Sequence, residues 1–308
     1  MRFNPKADIS KGRVNDAGRG GGGMGGGGMR IPMPGGTRAG GGIGGLIILI
    51  LFVVLTQCVG GGGGGDTSTQ GQAQGQPEGI DSGDQRYANC KSGADANDDP
   101  DCARKAVALS LEQYWAATLP EQNGSELVPA QINTFAGAVD TGCGQASSQV
   151  GPFYCPPDQQ IYLDTTFFDQ VLEQQLGGQG GDFVEPYVLA HEYGHHIQNL
   201  MGTMGQVRTQ KGADSDAVRL ELQADCYAGM WTRDAQDSEL ITLDEADIAE
   251  ALDSAKAVGD DRIQQKSGQG VDPEGWTHGS SEQRMAWFTR GYEEGTLEAC
   301  DTFSATEL

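Results

Sequence analysis

Residues 39–65 carry no charged side chain, and the centre of that run, residues 43–59, reads IGGLIILILFVVLTQCV. Seventeen residues lie at the short end of what crosses a bilayer, and flanking glycines can extend them. A glycine-rich neighbourhood offers such a segment no soluble core to join. The run therefore predicts one transmembrane helix over 43–59. Before it, residues 1–42 hold seven Lys/Arg (Arg2, Lys6, Lys11, Arg13, Arg19, Arg30 and Arg38) against only Asp8 and Asp16. Positive charge on that side alone predicts a single-pass protein of the cell membrane, with a cytoplasmic N-terminus and the remainder extracytoplasmic. A cleaved signal peptide fits less well, because the leader exceeds 40 residues and no A-x-A site follows. Leu55-Thr56-Gln57-Cys58 hints at a lipidation site, but Gln57 stands where a small residue is needed.

The division explains the composition. Of 49 glycines in 308 residues, 23 fall within the first 65. The net charge of −23 joins a leader of +5 to a remainder of −28. A body so acidic is a poor partner for nucleic acid, which needs clustered Lys/Arg. The expected organisation is a disordered basic tail over 1–42, the span over 43–59, a flexible Gly/Gln/Ser linker over 60–86 and one folded domain over 87–308.

Six of the seven cysteines lie in that domain. Cys90 with Cys102 and Cys143 with Cys155 are close in sequence around polar loops, leaving Cys226 with Cys300 as a long-range staple. Disulfides agree with an extracytoplasmic placement, and no C-x-x-C spacing suggests a cysteine metal site.

Within the domain, Asp101 can cap a helix to about Leu119, before Pro120. Residues 132–139 read as a strand that could form an exposed edge, and 152–155 and 160–163 as two short strands. A short helix over 166–176 follows. Asp182 can cap the next helix, which Gly202 ends. Further helices are expected over 215–231, from the box Thr242–Glu245 to about 259, and from the box Ser280–Gln283 to about 293. The pattern is helix-rich α+β with a small early sheet.

Three of the four histidines lie between 191 and 196. His191-Glu192-Tyr193-Gly194-His195 places two imidazoles one turn apart on one helical face, the spacing that serves a zinc ion. Glu192, beside the first of them, can act as general base toward a zinc-activated water. Gln198 and Met201 stand where a third histidine pattern would need Gly and His, so a carboxylate must complete the site. Glu221 and Asp225 share one face of the following helix. Glu221 is expected as the third metal ligand, and Asp225 as the residue that holds a histidine N–H. Asp214 and Asp216 are rivals near the helix start. His278, in the loop before the last helix, is the candidate to stabilise the oxyanion as a catalytic residue, with Arg284 as second choice. His196 points to another face and is expected to pack.

The stretches CGQASSQVGPFYCPPDQQIYLD (143–164), VLAHEYGHHIQNLMG (188–202), RLELQADCYAGMW (219–231) and WTHGSSEQR (276–284) resemble the bacterial neutral zinc metallopeptidase family, a gluzincin-like group. The resemblance spans 87–300 in layout and extends to the basic leader and apolar segment. It implies a gluzincin-like (minigluzincin) metallopeptidase domain and one zinc on the H-E-x-x-H pair and a downstream glutamate, here His191, His195 and Glu221. The site residues, the apolar segment and the resemblance together lead to the expectation of a membrane-anchored zinc endopeptidase acting on peptide or protein substrates; the resemblance itself implies a peptidase activity and names no substrate. More distant gluzincins of the heat-shock and CAAX-processing type have Pro after the late histidine, where this chain has Gly279. The competing expectation is a non-catalytic, zinc-stabilised extracytoplasmic binding module, which would have no use for Glu192.

Overall fold

The computed structural model describes residues 1–19, 86–147, 150–178, 180–268 and 270–308. The expected span 43–59 and most of the expected linker lie outside them. No helix among the described residues is long and apolar enough to cross a membrane.

The body is mixed α+β. Strands β1 (Arg2–Phe3) and β2 (Val14–Arg19) come first, then helices α1 (Gly93–Asp98) and α2 (Pro100–Asn123). β3 (Gln131–Ala136), the hairpin β4 (Ala138–Thr141) and β5 (Gly144–Ser147), then β6 (Phe153–Cys155) and β7 (Gln160–Asp164) follow. After a π-helical turn at Phe168–Glu173 come α3 (Val184–Leu200), α4 (Asp216–Asp237), β8 (Ile241–Thr242), α5 (Glu245–Ala257), α6 (Asp260–Lys266) and α7 (Ser281–Glu294).

The main sheet has the order β2-β3-β7-β6, with β2–β3 and β3–β7 parallel and β6–β7 antiparallel. β3 is therefore internal, not the exposed edge its sequence suggested. It also ends at Ala136, because Gly137 turns the chain at φ 92° into the hairpin. α3 and α4 pack on each other, and α7 packs along α4. Trp115, Tyr187, Tyr193, Tyr227, Trp231 and Phe288 fill the space between these helices, each almost wholly buried.

Local chemistry accounts for most helix ends. Ser280 accepts from the Gln283 N–H while Gln283 returns the bond to the Ser280 N–H, the reciprocal box expected from sequence. The box before α5 is formed by Asp244 and Asp247, two residues later than expected. α2 is capped by Asp99, not Asp101, and runs one turn past Leu119. Pro120 lacks a donor, but the later residues continue the ladder. α3 has Phe183 at its N-cap with no side-chain cap, so Asp182 does not serve there. The three expected disulfides, Cys90–Cys102, Cys143–Cys155 and Cys226–Cys300, are all present.

The largest departure concerns the leader. Residues 1–19 belong to the folded body and are not a disordered tail. β1 pairs with β8, β2 pairs with β3, and Phe3 and Ile9 enter the same apolar core as α2 and α4. The Met1 ammonium lies 2.7 Å from Asp182 and 2.6 Å from Asp247. Composition hid this, because basic and glycine-rich sequence predicts coil whatever surface awaits it.

Where α3 crosses α4 there is room for a backbone and no more. A Cβ placed on Gly194 would lie 3.1 Å from the Cα and carbonyl oxygen of Ala224. That close approach brings the polar faces of the two helices together.

Candidate functional site

Those faces carry His191, Glu192 and His195 on α3, and Glu221 and Asp225 on α4. The ligand atoms of His191, His195 and Glu221 lie within 4.8 Å of one another, and all three residues are buried. His191 Nε2 is 3.2 Å from one Glu221 oxygen, and His195 Nε2 is 3.5 Å from the other.

The other ring nitrogens are held by oxygens with no proton to give. His191 Nδ1 faces Asp225 at 2.8 Å, and His195 Nδ1 faces the Gln198 side-chain carbonyl at 2.8 Å. The Gln198 amide is itself oriented, donating to the Leu220 backbone carbonyl (2.7 Å) and to the side-chain carbonyl of Gln223 (3.1 Å). Each Nδ1 thus carries its hydrogen, and each Nε2 turns toward Glu221. Two imidazole nitrogens and one carboxylate, converging, buried and fixed from behind, make a donor set able to hold a zinc ion. The residues fit the ion.

Electrostatics agree. Burial opposes protonation of His191, but Asp225 and the bond to Glu221 overcome it and hold its pKa up to about 10. His195 is likewise raised against burial, by Glu221. Burial would raise the Glu221 pKa, yet the charges of His195 and His278 and the bonds from both ligand histidines hold it well below the carboxylate range. The cluster is built around a positive charge, and a divalent cation competes for it with protons. Glu192 behaves differently. Burial pushes its pKa up, against the pull of His195 and His191 and a hydrogen bond from the Tyr154 backbone N–H in β6.

Asp225 is the hub behind the ligands. It accepts from His191, from the Tyr187 hydroxyl (2.7 Å) and from two nitrogens of Arg284 (2.7 and 2.8 Å). Arg284, the second choice for the oxyanion, is thus spent on Asp225 and reaches back to the Val258 carbonyl. Helix register brought it near the site, and the buried carboxylate claimed it.

His278 is buried and close enough to act on Glu221 electrostatically. Its loop hangs from Asp260 at the start of α6. One Asp260 oxygen accepts from the backbone N–H groups of Thr277 (2.6 Å), His278 (2.7 Å) and Gly279 (3.1 Å). The other lies 3.5 Å from His278 Nδ1, and Thr277 Oγ1 lies 3.1 Å from the same nitrogen.

His196 stays out of the cluster, as expected. It bonds Tyr154 Oη and donates from Nε2 to the Val128 carbonyl. Asp216 accepts from the Arg208 and Thr209 N–H groups, and Asp214 is exposed, so neither rival reaches the site. A second acidic group, Asp182, Asp247 and Glu250, is taken up by the Met1 ammonium and the Phe183 N–H. Sequence reasoning passed over Gln198, Tyr187 and Asp260. Gln198, one turn after His195, carried a usable i,i+3 signal, whereas the other two act across long separations.

Comparison with known proteins supports zinc as the metal. A family profile described as "Putative neutral zinc metallopeptidase" matches residues 3–303. The chain is 49% identical over 230 residues to the uncharacterized protein Rv2575 of Mycobacterium tuberculosis, covering 72% of this chain and 76% of that one. It is 41% identical over 203 residues to the uncharacterized protein YpfJ of Escherichia coli K12, covering 64% and 69%. No solved structure matches it.

Proposed function

Since the chain belongs to the neutral zinc metallopeptidase family, we propose that it is a zinc-dependent endopeptidase of gluzincin-like arrangement, acting on peptide or protein substrates. The observation that carries this reading is the convergence of His191, His195 and Glu221 with Glu192 beside them on the same helix. A zinc ion bound there supplies a Lewis acid and lowers the pKa of the attacking water. Glu192 accepts the proton of that water and passes it to the leaving amine. Burial moves its pKa up from the ordinary carboxylate value toward neutrality, where both the base and the acid form are accessible. Asp225 and Gln198 keep the two imidazoles in the tautomer that offers Nε2. His278 donates a hydrogen bond to the oxyanion as the carbonyl becomes tetrahedral. Asp260 positions it.

The three disulfides support placing the domain in an oxidising compartment outside the cytoplasm. Membrane attachment through residues 43–59 rests on their apolar sequence alone.

Metal analysis combined with cleavage of a peptide library tests the reading. The wild-type protein should bind one zinc and cleave, and a chelator should abolish cleavage. Glu221→Ala should lose the metal together with activity, and stoichiometric zinc in that variant would refute the ligand assignment. His278→Ala should keep zinc and lose roughly 10²–10³-fold in kcat, the usual cost of one oxyanion donor. Asp260→Asn should keep zinc and lose less than that, with KM little changed. Full kcat in His278→Ala would remove that residue from the reaction.

A further inference from the structure

The N-terminal segment and the catalytic domain form one sheet, although 43–59 is the most apolar stretch of the chain and stands between them in sequence. β2 runs parallel to β3 in register, with Val14 opposite Ile132 and Asn15 opposite Asn133. The Ile132 N–H donates to the Arg13 carbonyl, and Asn15 Nδ2 reaches Asn133 Oδ1 at 3.3 Å. Further along, the Asn4 N–H donates to the Leu240 carbonyl, the Ile9 N–H to Lys91, and the Gly93 and Ala94 N–H groups to Ala7 and Pro5. The Phe3 backbone exchanges two bonds with the Asn97 side chain.

These are the contacts of a built interface. Ile9 is wholly buried and Phe3 nearly so, both in the main core. A Cβ on Gly93 would run into the Asn4 carbonyl, so the domain side is shaped to admit the segment's backbone. Thr134, in the middle of β3 and wholly buried, donates from Oγ1 to the Asn15 carbonyl. Without β2, the inner strand of the sheet would present unpaired backbone groups. The family profile begins at residue 3, inside this segment and not at the domain.

We propose that residues 2–18 are an integral strand-and-core element of the catalytic domain and lie in the same compartment as it. A chain crossing a membrane once between residues 19 and 86 places its two flanks on opposite faces. The β2–β3 ladder then cannot form, whether within one chain or between two copies. The cytoplasmic N-terminus read from the positive-inside pattern is therefore replaced by one that accompanies the domain. Seven basic residues ahead of an apolar run act statistically on insertion, whereas a hydrogen-bonded sheet is a strict constraint on sidedness. The inference rests on the sheet and does not depend on the catalytic reading.

The test uses the full chain in cells, with Cys58→Ser as background. Ser10→Cys and Glu126→Cys, both at exposed positions, are labelled separately with a membrane-impermeant maleimide before and after permeabilisation. Arg13 Nε and Glu112 Oε2 are 2.9 Å apart, so the pair Arg13→Cys/Glu112→Cys is treated with a short bifunctional thiol reagent. The expected result is equal accessibility of the two single thiols from one side, together with a cross-link between residues 13 and 112. Labelling from opposite sides would overturn the proposal. So would accessible thiols that fail to cross-link.

Discussion

Glu192→Gln should retain one zinc per chain and lose about 10²–10⁴-fold in kcat, the usual contribution of a positioned general base. Glutamine keeps the size of the side chain and can still accept from the Tyr154 N–H. It cannot take a proton at neutral pH. Glu192 is not among the three residues whose ligand atoms cluster, so metal content should be unaffected, which separates this variant from Glu221→Ala. Zinc stoichiometry and single-turnover cleavage on the same preparation provide the check. Undiminished turnover with full zinc would remove Glu192 from the mechanism, and zinc loss would make it a ligand.

Arg284→Ala should be the most destabilising substitution near the site. It removes both guanidinium bonds to Asp225, whose side chain is completely buried. Removing one partner of a buried ion pair costs about 3–5 kcal/mol, even though Tyr187 and His191 still reach Asp225. At roughly 2–4 °C per kcal/mol for a domain of this size, Tm should fall by about 6–20 °C. Arg284→Lys should recover only part of this, since an ammonium cannot make the forked pair. The pH dependence provides a second readout. Burial would raise the Asp225 pKa, but Arg284 and His191 hold it well below the carboxylate range. The stability it contributes is present above the unfolded value of about 3.9 and is lost only as pH falls through the lower folded value. In Arg284→Ala the carboxyl loses its main partner and its pKa rises. The gap between wild type and variant should therefore be widest near neutral pH and narrow on acidification. Calorimetry at several pH values decides, and a gap that does not change with pH would contradict this account.

What the sequence showed and what it hid divide along chemical lines. His191, Glu192 and His195 were legible because a helix converts an i,i+4 spacing into a shared face. Glu221 and Asp225 were legible for the same reason. The disulfides were legible because two pairs closed short polar loops and left one choice. Asp260 was not, since its partners are three backbone N–H groups, which look alike in every sequence. Arg284 could be placed near the site, but only packing decided that it serves Asp225. β2 was the least legible element. A parallel pairing across more than a hundred residues has no local signature, and the surrounding glycine and charge argued for coil.

The missing side chain at Gly194 has a consequence for the metal centre itself. The ligands come from two helices, so the bore of the site is the gap between helix axes, and that gap is gauged by a hydrogen atom against Ala224. The five-residue motif therefore specifies more than donors and a base. Its fourth position acts as a spacer, and a single methyl there would have to part the helices by a few tenths of an ångström, moving Glu221 away from both imidazoles at once.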